Sequence, residues 1–265
     1  MPTVSLNGTE VYYEEAGQGP PLLLLHGLGS STRDWEYQTP DLARFYRVIS
    51  MDVRGHGRSG RPPGPYSVAQ FAQDAVSLLR HLNAEPAHVA GLSMGGMIAF
   101  QMAVDVPDAV RSLTIINSGP AMILQGAQKL TIGLRFAIVK LLGMKVMAGM
   151  IAKKCFPLPD QEELRQKFIT RVAENDPRAY LDAIRAISGW SVEERIGGIR
   201  RPVLIISSDQ DYTPVDWKRQ YAAKIPGAQV EVLKDSRHVA PFDQPGQLNE
   251  LMLQFLATVP WESAA

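Results

Sequence analysis

One cysteine in 265 residues, Cys155, excludes an internal disulfide. No uninterrupted apolar run reaches the roughly 18 residues that a bilayer crossing needs. An excess of either charge is also lacking: 27 Lys and Arg balance 27 Asp and Glu, so composition gives no support for a nucleic-acid partner. The opening stretch, Met1 to Asn7, has none of the basic-then-apolar pattern of a secretory signal. These absences point to a reducing, cytoplasmic compartment.

Apolar residues make up 45% and charged residues 20% of the chain, as in a globular protein with one large α/β domain or a core plus a modest insertion. Short apolar runs recur at 11–15, 22–25, 46–51, 87–90 and 113–116, and again at 203–206 and 230–233. Helical patterns separate many of them: about 67–82 with Ser67 as N-cap, then after Ser93, at about 214–223 and at about 246–257. Continuous strands alternating with helices mean a doubly wound, mainly parallel sheet covered on both faces.

From about 121 to 198 the pattern is helical with no convincing strand, which marks an insertion between a core of 1–120 and 199–265. Its first part, 121–155, carries Lys129, Arg135, Lys140, Lys145, Lys153 and Lys154 and no acidic residue. Leu130, Leu134, Ile138, Leu141, Leu142, Met147 and Ile151 fall near helical spacing, as for a face packed on the core opposite a solvated basic face. The sharper alternative is a cap lining an apolar pocket, its basic residues favouring an anionic substrate or a membrane surface.

The chemistry centres on Gly91-Leu92-Ser93-Met94-Gly95, which lies between an apolar strand and a helix. A turn that tight exposes the serine hydroxyl beside the free N–H groups of a helix start, and the flanking glycines remove side chains that would collide. Serine needs a base. Of five histidines, His81 and His88 sit at a helix end and a strand start and read as structural. His238, after the 230–233 strand and before Pro241, falls on the sheet edge that carries Ser93 and is the expected base. A carboxylate must orient that imidazole, and the loop after 203–206 offers Asp209 and Asp211. Asp211, deeper in the loop, is preferred, and Asp209 stays open. The oxyanion donors expected are the backbone amides of Met94 and of Leu28, in His26-Gly27-Leu28-Gly29. Their side chains would be free to shape a pocket suited to an apolar acyl group.

A competing motif, Gly55-His56-Gly57-Arg58-Ser59-Gly60, matches a dinucleotide fingerprint, but Arg61-Pro62-Pro63-Gly64-Pro65 forbids the helix that must open there. That loop is expected to brace the sheet edge through Asp52 and Arg54. No metal or cofactor is called for.

The order Ser93, Asp211, His238, with His26-Gly27-Leu28-Gly29 before it, resembles the α/β-hydrolase fold family. The likeness runs from about 3 to 258 and is weakest in the cap. It implies an eight-stranded sheet, a helical cap after the sixth strand, and a carboxylesterase-like serine hydrolase in which Ser93 is the nucleophile, Asp211 the acid and His238 the base. Two departures stand out. The family commonly has Gly where this chain has Arg237, and its acid more often precedes the proline by four residues than by the three that separate Asp211 from Pro214. Serine at the nucleophile position argues against the dehalogenase and epoxide-hydrolase branches, which use aspartate. C–C bond hydrolases, lactonases and perhydrolases share the triad, and a few members of the fold only capture a small molecule.

Overall fold

In the computed structural model, residues 2–261 are described. Eight strands form one sheet: β1 (Thr3–Leu6), β2 (Thr9–Ala16), β3 (Pro21–Leu25), β4 (Arg47–Met51), β5 (Ala87–Leu92), β6 (Val110–Ile116), β7 (Val203–Ser208) and β8 (Gln229–Leu233). Their spatial order is β1-β2-β4-β3-β5-β6-β7-β8. β1 and β2 pair antiparallel, as do β2 and β4, and every pair from β4 to β8 is parallel. The edge strand β1 is the one strand that the apolar runs do not announce, because its residues alternate only between exposed and half-buried.

The helices are α1 (Thr39–Leu42), α2 (Val68–His81), α3 (Met94–Asp105), α4 (Ala127–Cys155), α5 (Glu162–Ala173), α6 (Pro177–Ile187), α7 (Val215–Ala222), α8 (Ala240–Asp243) and α9 (Pro245–Ala257). Ser67 caps α2 as expected, its side chain accepting from the Gln70 amide at 3.1 Å. β3 and β5 are buried along their whole length, so their side chains supply two cores by simple alternation. Leu23 and Leu25 join α2 and α3 on one face, while Leu22 and Leu24 join the 139–184 helices and α9 on the other.

Between β6 and β7 the chain forms α4, α5 and α6, with no strand among the described residues beyond a bridge between Ala121 and Ser191. The packed stripe expected on α4 needs correction. Met147 is buried, with Val139, Met144, Ala148 and Ala152, but Leu130, Leu134, Leu141 and Leu142 face solvent. Gly143 breaks the helix with φ 82°, ψ 175°, which resets the helical phase, so the stripe at one sequence spacing faces solvent before the break and turns inward, at Met147, after it.

Candidate active site

Four of the five neighbouring parallel strands β3-β5-β6-β7-β8 deliver the site residues to one edge of the sheet. Ser93 follows β5, His26 to Gly29 follow β3, Asp211 follows β7 and His238 follows β8. Their C-terminal ends converge where parallel sheets place their ligands.

Ser93 has φ 52° and ψ −114°, a left-handed conformation that is costly for a residue with a side chain. The flanking glycines make the turn possible. A Cβ on Gly91 would lie 2.2 Å from the Gly95 carbonyl oxygen, and one on Gly95 would lie 2.0 Å from that of Leu25. The Ser118 hydroxyl braces the turn by donating to the Ser93 carbonyl at 2.6 Å.

Ser93 Oγ lies 3.0 Å from His238 Nε2, and His238 Nδ1 lies 2.8 Å from Asp211 Oδ1. The Asp211 side chain is closed off from solvent, and the His238 side chain nearly so. Burial alone would raise the Asp211 carboxyl. The His238 hydrogen bond and charge outweigh it and, with the Lys218 ammonium, hold the group down to about 2. An ionised Asp211 keeps the proton on Nδ1 and leaves Nε2 to accept from Ser93.

Asp209 is engaged elsewhere, accepting from the amides of Asp235 and Ser236, each at 3.0 Å, in the loop that leads to His238. The short spacing to Pro214 does not keep Asp211 from the imidazole. Arg237 is absent from the residues with positive φ, so this backbone has no need of the family's glycine there, and its amide donates to Asp243 at 2.6 Å.

On the β3 side, a Cβ on Gly27 would come 3.8 Å from that of Ser93, so this loop borders Ser93. Asp34 holds the loop, accepting from the Gly27 amide at 3.3 Å and from the Ser30 hydroxyl. Neither the Leu28 nor the Met94 amide has an acceptor among the described residues. Leu28 is half-buried beside both cores. The Met94 side chain, expected to shape a pocket, is instead fully enclosed in the core, because α3 is packed on nearly every side.

His26 is a bracket. Its Nε2 accepts from the Val53 amide at 2.9 Å, and Nδ1–H donates to the Gly27 carbonyl at 2.7 Å. The 52–59 loop braces the edge in the expected way: Asp52 accepts from the amides of Thr32 and Arg58 at 2.6 and 2.7 Å, and Arg54 forms a buried ion pair with Asp74 at 2.5 Å.

Three participants have no motif. Lys218 Nζ donates to Asp211 Oδ2 at 2.7 Å and to the Thr213 carbonyl at 3.0 Å. Asn117, with φ 45° at the end of β6, donates to the Arg237 and His238 carbonyls at 3.0 Å each and accepts from the Ser208 amide at 2.8 Å, tying the end of β7 to the loop that carries His238. The Tyr212 ring stacks on His238 with centroids 4.1 Å apart, and its hydroxyl lies 2.5 Å from Nε2. Lys218 left one trace in the sequence, since it shares the inward stripe of α7 with Tyr221 and Ala222.

Residues 20–245 match the family model described as alpha/beta hydrolase fold. The chain belongs to the α/β-hydrolase fold family. Across 98% of its length it is 30% identical to an Azorhizobium caulinodans protein assigned the name carbamate hydrolase RutD, covering 99% of that protein. It is 28% identical to 3-oxoadipate enol-lactonase 2 of Acinetobacter baylyi, over 93% of each chain. Among solved structures, the enol-lactonase from Burkholderia xenovorans LB400 superposes with a TM-score of 0.90 at 25% identity, covering 97% of this chain and 100% of that one. These α/β-hydrolase relatives are hydrolases by name, and this chain is a hydrolase of their family.

Proposed function

We propose that the protein is a serine hydrolase that cleaves a carboxylic ester through an acyl intermediate on Ser93. The observation that carries this reading is the unbroken line from Ser93 Oγ to His238 Nε2 and from Nδ1 to Asp211 Oδ1, at 3.0 and 2.8 Å. As Ser93 Oγ attacks the carbonyl carbon, His238 Nε2 takes its proton, and Asp211 stabilises the resulting imidazolium. The amides of Leu28 and Met94 receive the oxyanion. Collapse expels the alkoxide, which leaves with the proton from Nε2. Water then attacks the acyl-enzyme, with the same nitrogen as base, and releases the acid and free Ser93.

Leu28 at the site rim suits an apolar acyl group. A lactone is the second substrate class to test, because two relatives carry the name enol-lactonase and an internal ester needs no different chemistry. The test is turnover of aryl esters of graded acyl length, with a lactone and a vinylogous diketone alongside. Repeated turnover that Ser93→Ala abolishes supports the reading. Single-turnover labelling without release would instead indicate a protein that captures its ligand.

A further inference from the structure

The outer face of α4 combines uncovered aliphatic side chains with a run of lysines. Of the twelve large apolar side chains that the described residues expose, six lie on this helix: Leu130, Leu134, Leu141, Leu142, Val146 and Met150. Leu141 is 80% exposed and Leu130 77%, values that leave almost the whole side chain in water. Interleaved with them are Lys129, Lys140, Lys145, Lys153 and Lys154, all exposed.

Elsewhere on the surface cations are commonly matched by carboxylates, as in Arg47 with Glu15, Arg58 with Glu14, and Lys167 and Arg171 with Glu36. The five α4 lysines form no ion pair among the described residues, and no Asp or Glu occurs in the sequence between Asp108 and Asp160. In a chain of zero formal net charge, this is a local excess of positive charge around uncovered leucines.

We propose that the outer face of α4 docks on an anionic lipid surface. Leucines at headgroup depth shed their water, while lysine stems run along the same apolar layer and keep their ammonium groups among lipid phosphates. No helix among the described residues is long and apolar enough to cross a membrane, so α4 would lie in the interface plane. A second copy is a poor occupant. A two-fold contact of this face with itself would set five lysines against five. The inference stands apart from the chemistry at Ser93, and its test reads lipid binding rather than catalysis.

The test is sedimentation of the whole protein with vesicles of phosphatidylglycerol and phosphatidylcholine, against vesicles of phosphatidylcholine alone. Binding is expected with the anionic vesicles, lost at high salt, and weak with the neutral ones. The variant carrying Lys140→Gln, Lys145→Gln, Lys153→Gln and Lys154→Gln should partition about 1,000-fold less. Leu141→Asp with Leu142→Asp should abolish partitioning, because a carboxylate at that depth opposes both insertion and lipid charge. Unchanged hydrolysis of a short soluble ester shows that these surface variants are folded. Failure to bind anionic vesicles, or binding that either variant leaves intact, overturns the proposal. So does a concentration-dependent dimer that the Leu141→Asp, Leu142→Asp variant disrupts while the parent ignores vesicles, which would assign the face to a second copy.

Discussion

Lys218 Nζ sits 2.7 Å from Oδ2 of Asp211, the carboxylate oxygen that does not face His238, and both side chains are closed to solvent. A buried ammonium is tolerated here because it meets a carboxylate and the Thr213 carbonyl. Burial lowers its pKa, and the Asp211 charge works against that shift. Asp211 is thereby gripped from both sides.

Lys218→Met keeps the length of the side chain and removes the charge. It should cost about 3 kcal/mol of stability, the scale for breaking one side of a buried pair. Because Asp211 then keeps only the Thr213 hydroxyl on the oxygen that does not face His238, kcat should fall while KM for a small ester changes little. Thermal unfolding and steady-state kinetics measure both, and a variant with parental stability and kcat would show that the ion pair holds nothing in place.

Asp211→Asn should lower kcat by about 10³-fold to 10⁴-fold, since the amide cannot hold the required tautomer or stabilise the imidazolium. Asp209→Asn weakens only contacts to the Asp235 and Ser236 amides, so it should cost about 1 kcal/mol of stability and leave kcat near its parental value. Comparing the two kcat values assigns the acid.

Most of this site is legible in the sequence because it rests on local turns with strict demands. Gly91 and Gly95 have no room for a Cβ, and the apolar runs of β5, β7 and β8 end where Ser93, Asp211 and His238 follow. Asn117, Tyr212 and Lys218 are not legible in this way. Asn117 and Tyr212 act through loops far along the chain, Lys218 reaches Asp211 from only seven residues away, and any polar residue type can sit at such positions without a local pattern. β1 escapes notice because an edge strand with one half-buried face has too few apolar residues to show a period. The α4 stripe misleads because one glycine resets its phase.

Tyr212 and Ser93 both approach His238 Nε2, at 2.5 and 3.0 Å, so the phenol competes with the Ser93 hydroxyl for one acceptor. Substrate must displace the phenol. Tyr212→Phe should therefore retain or modestly raise kcat/KM for a small ester. A fall on the order of 100-fold, the scale of lost general acid catalysis, would instead make the phenol a proton donor to substrate.

Stability should decline as the pH drops below about 6.5. Burial lowers His26 to about 4, His56 to about 3 and His88 to about 4. The unfolded chain takes up these protons near 6.5 and the folded one does not, so stability present above 6.5 is lost towards 4. Asp34 and Asp243, raised by burial to about 6, and Asp52, also raised by burial, act in the opposite sense and offset part of the loss from the three histidines. Asp211, held at about 2, adds a further loss between 3.8 and 2. Tm measured from neutral pH downward should fall, and a flat or rising Tm would contradict the burial of neutral histidines.

Intact-mass measurement of the protein rapidly quenched during turnover of a slow aryl ester tests the central claim most directly. A mass increase equal to the acyl group, mapped to the peptide bearing Ser93 and lost in Ser93→Ala together with turnover, is the expected result. Turnover that survives Ser93→Ala, or an acyl group found on another residue, would contradict it.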